Sequence, residues 1–162
     1  MDGSRKSKTT TIKNSSLKSK RSELFNIDQN LFVSYKKSNI TKEYTIGRPI
    51  GGGKLSDIRM ATNKESGAKR AVKIIKKENL EDEKFFAIVD LLCKLSHPNI
   101  LQTFEFFDDS KHYYIVTDVC NGGELIEEIC DKGAMSEKKA AHLIKQVLSA
   151  VSFAHKNNIV HK

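Results

Sequence analysis

From Tyr44 onward, apolar and polar positions fall into short runs that end at glycine, asparagine or proline. Tyr44 to Ile50 predicts a strand, Gly51-Gly52-Gly53 a turn, and Ile58 to Thr62 the partner strand of a hairpin. Asn63 to Gly67 predicts a loop, and Ala68 to Lys76 a third strand carrying Ala71, Val72, Ile74 and Ile75. The spacing then changes. Phe85, Ile88, Val89, Leu91, Leu92 and Leu95 recur at intervals of three and four, which predicts a helix over 81–95. Ser96-His97-Pro98-Asn99 ends it, because proline disfavours helical geometry in the residue before it. Ile100 to Phe107 and His112 to Val119 predict two further strands around a turn at Asp108-Asp109-Ser110. Asn121-Gly122-Gly123 reads as a linker and Glu124 to Cys130 as a short helix. Ser136 is placed to cap a long helix reaching about Lys156, with Ala140, Ile144, Val147, Leu148, Val151 and Ala154 along one side.

Five strands with one helix after the third, followed by a glycine linker and helices, predict an α+β fold. Short connections between the strands make the sheet antiparallel. Upstream the pattern fades. Residues 1–22 are rich in Ser, Thr and Lys and predict a disordered extension; residues 23–43 are a transition with apolar pieces at Leu24-Phe25 and Leu31-Phe32-Val33. The organisation is therefore a tail and transition over 1–43, a sheet unit over 44–119, and a linker with helices over 120–162.

Composition adds three constraints. The net charge of +8 sits mostly in residues 1–22, where seven basic residues face a single acid, Asp2. That tail lacks aromatic residues for base stacking and a periodic apolar face, so neither nucleic acid nor a membrane is the expected partner. No apolar run approaches the roughly 18 residues needed to span a membrane. The odd count of three cysteines, Cys93, Cys120 and Cys130, fits neither a disulfide framework nor a metal-ligand spacing and predicts reduced thiols in an intracellular, cytoplasmic setting.

The candidate chemistry lies in Ile50-Gly51-Gly52-Gly53-Lys54-Leu55-Ser56-Asp57-Ile58 and in Lys73, 22 residues after Gly51. Glycines let backbone N–H groups approach phosphate, and a lysine on the next strand supplies a compensating charge. Gly51 to Gly53 alone would equally fit a plain hairpin turn; the spacing to Lys73 favours a phosphate cradle. Ala71-Val72-Lys73-Ile74-Ile75-Lys76-Lys77, His97-Pro98-Asn99-Ile100, Tyr113-Tyr114-Ile115-Val116, Gly122-Gly123-Glu124-Leu125 and Asn158-Ile159-Val160-His161 follow in order. With these pieces the chain, from about Tyr44 to Lys162, resembles a eukaryotic protein kinase domain of the calcium/calmodulin-dependent group, particularly the calcium-dependent kinases.

The resemblance implies a small lobe, a hinge and the first large-lobe helices. It also implies Mg-ATP as ligand: Ile50, Ile58 and Ala71 around adenine, Thr117 at the back of the pocket, and hinge backbone groups of Asp118 and Cys120 at the adenine edge. Glu124 would face the ribose or a basic substrate residue, and Lys73 would contact the α- and β-phosphates. Four departures accompany it. Ser56 replaces the third glycine and Ile58 the valine of the Gly-x-Gly-x-x-Gly-x-Val turn, which is expected to weaken phosphate binding. Ile88 stands nine residues before His97, where the family places the glutamate that pairs with the strand lysine. Thr103 stands where a large apolar residue is usual. Lys162 occupies the arginine position of His-Arg-Asp, and the 162 residues contain neither that Asp nor the family's metal-binding residues. The expectation is an inactive polypeptide with no catalytic residue and no protein-held metal. Either it is one piece of a longer kinase, or it is a pseudokinase-like binding module whose Ile144–Val151 face is covered by a protein partner, or it has no selected function.

Overall fold

A computed structural model describes residues 33–53 and 56–161. The predicted disordered extension over 1–22, and the site positions Lys54 and Leu55, lie outside the described residues. The strands are β1 (Ser34–Lys36), β2 (Tyr44–Gly53), β3 (Ser56–Asn63), β4 (Lys69–Lys76), β5 (Thr103–Asp108) and β6 (His112–Thr117). Helix α1 (Asp82–Lys94) is inserted between β4 and β5, and α2 (Leu125–Lys132) and α3 (Glu137–Lys156) follow β6. The α+β order read from the sequence holds, but Gly51-Gly52-Gly53, read as the hairpin turn, form the end of β2 and pair there with Ile58, Asp57 and Ser56; the other boundaries move by a few residues.

One feature of the sheet needs correction. It has six strands, in the order β1-β5-β6-β4-β3-β2, where the sequence predicted five. The extra strand, β1, pairs with β5 in parallel, so the sheet is not wholly antiparallel. Ser34-Tyr35-Lys36 is too short and too polar to show an alternation. Side chains hold it instead: Lys36 Nζ meets Glu43 at 2.5 Å and Glu105 at 2.9 Å, and lies over the Phe107 ring. The Glu105 carboxylate also accepts from Tyr44 Oη at 2.6 Å. Burial pushes the Glu105 carboxyl up, but the hydrogen bonds from Lys36 and Tyr44 outweigh it and hold the group below its usual range.

Alternation along the strands divides the core between the two faces of the sheet. On one face Tyr44, Ala61, Val72, Phe107, Tyr114 and Val116 pack together under Ile40, which a 3-10 turn (Ile40–Lys42) brings across the sheet. On the other face Ile75, Phe106, Tyr113 and Ile115 pack against Phe85 of α1. Phe85 is fully buried and stacks on Tyr113, with ring centroids 3.8 Å apart and planes 10° from parallel. Ala71 and Lys73 belong to this second, helix-bearing face because they alternate with Val72 and Ile74 and share the side of Ile75.

Helices α2 and α3 behave differently. No residue described in either is buried. Ser136 caps α3 as predicted, its hydroxyl accepting from the Lys139 N–H at 3.4 Å. Lys139 Nζ reaches Glu128 of α2 at 2.9 Å. The loop after α1 reaches α3 through His97 and Ser149 and through Asn99 and Gln146, both at 3.0 Å. No described helix is long and apolar enough to cross a membrane.

Candidate functional site

Strand register assembles most of the residues singled out in the sequence. Gly51 stands opposite Ile58, Ile58 opposite Lys73, and Lys73 opposite Ile115, so one row crosses β2, β3, β4 and β6. A second row, nearer the linker, sets Met60 against Ala71, Ala71 against Thr117, and Thr117 against Thr103. Ala71 is buried and small, so the sheet offers a low, apolar floor at that point. Thr117 is half-buried at the end of β6, and Ile50 is exposed on β2 beside the row.

The hairpin between β2 and β3 uses its glycines unequally. Gly52 has a φ of +151°, and a Cβ there would lie 2.9 Å from the Ser56 carbonyl oxygen, so only glycine fits without a shift. A Cβ on Gly51 would make ordinary contact, and one on Gly53 would meet nothing within 4 Å. Ser56 opens β3, paired with Gly53 on one side and Ile75 on the other. Asp57 is held by Arg59 at 2.6 Å.

Lys73 is exposed, and among the described residues no carboxylate lies within 4 Å of its ammonium. The sequence explains why. Ile88 of α1 packs into the apolar cluster between helix and sheet, at the position from which an acid would be expected to reach the lysine. Glu81, at the N-cap of the helix, pairs with Lys84 at 3.1 Å. Asp90 is exposed. Thr103, where a large side chain was expected, is buried to 3% exposure.

At the linker the two anticipated backbone positions differ. The Asp118 N–H donates to the Gln102 carbonyl at 3.1 Å, and its own carbonyl accepts from the Thr117 hydroxyl at 3.1 Å. The Asp118 carboxylate lies 3.7 Å from Arg70. Cys120 is exposed, and its N–H has no partner among the described residues. Glu124 is exposed at the start of α2, where the Glu127 side chain accepts from its N–H at 3.4 Å. The thiols of Cys93, Cys120 and Cys130 are free. Among the described residues no group of three or more His, Cys, Asp or Glu is placed to hold a metal ion.

Two features had no clear signal in the sequence. The first is a groove of about 850 Å³ on the opposite face of the sheet, lined by Ile46, Arg59, Ile74, Lys76 and Tyr114 and shared at its end with the glycine hairpin. Ala71, Lys73 and Thr117 do not line it, because they point to the other side of the same strands. The second is a polar cluster above α1. Tyr35 Oη donates to Asp108 at 2.7 Å, Lys77 Nζ meets the same carboxylate at 2.5 Å, and Tyr113 Oη donates to Asp82. Tyr35 and Asp108 are too far apart in the chain for any local motif to reveal the contact.

Residues 44–162 match the family model described as "Protein kinase domain". The chain is 35% identical over 136 residues to calcium-dependent protein kinase 4 of Plasmodium falciparum, an alignment covering 82% of this chain and 26% of that protein. It is 40% identical over 131 residues to calcium/calmodulin-dependent protein kinase cmkA of Emericella nidulans, covering 80% of this chain and 30% of the relative. A probable myosin light chain kinase of Dictyostelium discoideum is 36% identical over 130 residues, covering 78% and 33%. The chain therefore spans about a quarter to a third of the length of these relatives. The sheet, the inserted helix, the linker and these matches agree: the chain belongs to the protein kinase domain family, of the calcium-dependent and calcium/calmodulin-dependent type.

Proposed function

We propose that this chain is the ATP-binding portion of a Ser/Thr protein kinase of the calcium-dependent type, with the nucleotide seated on the face of the sheet that bears α1. The observation that carries this reading is Lys73. It is an exposed cation in register with Ile58 and Gly51, and the next position of β2, Gly52, takes only glycine without a shift. An unpaired lysine keeps its full charge for a phosphate oxygen.

Ile50, Ile58 and Ala71 would enclose the adenine, with Thr117 behind it and the Cys120 N–H at its edge. The Asp118 carbonyl would accept from the adenine amino group through its remaining lone pair, and Glu124 would lie toward the ribose. Backbone N–H groups from Gly51 to Ser56 would approach the phosphates, and Asp57 stays engaged with Arg59. Magnesium bound with the nucleotide would supply charge compensation for the phosphates. Substrate choice and any response to calcium belong to the whole kinase.

A thermal-shift titration with Mg-ATP tests the proposal. At a hundredfold excess over Kd, binding stabilises by about 2.7 kcal/mol, which raises the midpoint by roughly 5–10 °C. Lys73→Ala is expected to abolish most of that rise while leaving the midpoint of the free protein within about 1 °C, since an exposed lysine contributes little to stability. A second reading, a pseudokinase-like binding module, is favoured by Ile88 and Ser56. A wild-type midpoint that ignores Mg-ATP would support that reading instead.

A further inference from the structure

The position of α1 relative to Lys73 controls how such a lysine faces the nucleotide, and in this chain no carboxylate from the helix joins the two. Ile88, Val89, Leu92 and Cys93 pack against the sheet along the helix, while its hydrogen-bonded and aromatic contacts converge on its first turns. Asp82 accepts from the buried Tyr113 hydroxyl. Phe85, one turn later, stacks on the same tyrosine ring and lies edge-on to Phe106. Phe86 meets the Tyr35 ring edge-on with centroids 5.5 Å apart. Tyr35 is in turn anchored at Asp108, a carboxylate with 6% exposure that also holds Lys77, and the Lys77 ammonium lies 4.7 Å from the centre of the Tyr113 ring. Two tyrosines from two different strands thus grip adjacent aromatic residues of the helix, and each is tied at its hydroxyl to a carboxylate.

We infer that Tyr113–Asp82 and Tyr35–Asp108 form a clamp that docks α1 on the sheet independently of Lys73. The short β1 strand is part of this device, because pairing with β5 is what places Tyr35 over Asp108 and Phe86. Burial, reinforced by the Asp108 hydrogen bond, pushes the Tyr35 phenol up to about 12, and burial with the Asp82 contact raises that of Tyr113 further. Both hydroxyls therefore remain donors throughout the physiological range. Hydrogen bonds to a charged acceptor are stronger than neutral ones, and removing the hydroxyl from a tyrosine leaves the ring packing in place.

The clamp deepens the nucleotide reading by explaining how α1 can be docked while Lys73 stays available for phosphate. It is tested without nucleotide, so its failure and the failure of that reading are separate results. Amide hydrogen exchange of the whole chain is compared for wild type, Tyr113→Phe, Tyr35→Phe and Lys73→Ala. In Tyr113→Phe the α1 amides are expected to exchange about tenfold faster, with a smaller rise in Tyr35→Phe and no change in the β3 and β4 amides. Lys73→Ala is expected to leave α1 exchange as it is. Asp82→Asn, a change at the exposed end of the same contact, replaces Tyr113→Phe if that variant does not fold. Three outcomes would overturn the clamp. One is unchanged α1 exchange in the tyrosine variants; another is equal acceleration of helix and sheet; the third is acceleration in Lys73→Ala as large as in Tyr113→Phe.

Discussion

The sheet with α1 and the pair α2–α3 are built from sequence with a similar proportion of apolar residues, yet only the first closes a core. Seven large side chains of the sheet region, Ile40, Val72, Phe85, Phe106, Phe107, Tyr113 and Val116, are almost completely buried. In α3, Ile144, Val147, Leu148 and Val151 remain 41–61% exposed, and in α2 Leu125 and Ile126 remain 44–60% exposed. An amphipathic helix gains most of its stability from what covers its apolar face. The difference teaches that the sheet with α1 carries its own buried core, whereas the helices after the linker are held chiefly by polar bridges. Those bridges, His97 to Ser149, Asn99 to Gln146 and Lys139 to Glu128, are exposed and individually weak.

The largest test of that contrast pairs two truncations. Phe85→Ala removes a fully buried, stacked ring and is expected to cost about 3–5 kcal/mol. Leu148→Ala removes a side chain that is 61% exposed and is expected to change stability by about 0.5 kcal/mol or less. Urea denaturation of both variants decides it; equal losses would show that α3 shares the cooperative core. Smaller, but sharper in location, is Gly52→Ala. A Cβ there meets the Ser56 carbonyl at 2.9 Å in a backbone conformation that side chains rarely adopt, so a loss of roughly 1–3 kcal/mol is expected. Gly53→Ala, with nothing within 4 Å, should be close to neutral.

The smallest expected effect is electrostatic and concerns the strand that the sequence did not reveal. Glu105 has its folded pKa held below the unfolded value, so its contribution is fully present above the unfolded pKa. It is lost as pH falls through the folded one. The thermal midpoint should therefore decline on acidification below the carboxylate range, and Glu105→Gln should flatten that decline. An equally steep curve in the variant would assign the acid sensitivity to other carboxylates.

Much of this contrast was legible in the sequence, and the exceptions have physical reasons. The spacing of Phe85, Ile88 and Leu92 marked a helix because a buried face must repeat every turn. The Ser136 cap and the hairpin around Gly52 were legible because both are local. The missing acid opposite Lys73 was legible as well, since Ile88 could be counted back from His97. Strand β1 was not, because three mostly polar residues carry no period and their partners lie about 70 positions away. The groove by Ile74 and Lys76 was hidden for a related reason: it depends on which residues of four strands, β2, β3, β4 and β6, share one face of the sheet. Lys54 and Leu55, assigned to the phosphate turn from sequence, lie outside the described residues.

The two faces of the sheet also give the most direct test of where a nucleotide sits. Backbone amide chemical shifts are followed by NMR while Mg-ATP is added to the whole chain. The account predicts the largest changes at Gly51, Gly52, Ala71, Lys73, Thr117 and Cys120, with Arg59, Lys76 and Tyr114 little affected. Changes concentrated at Arg59, Lys76 and Tyr114, with Ala71 and Lys73 silent, would place the ligand in the opposite groove and contradict the account.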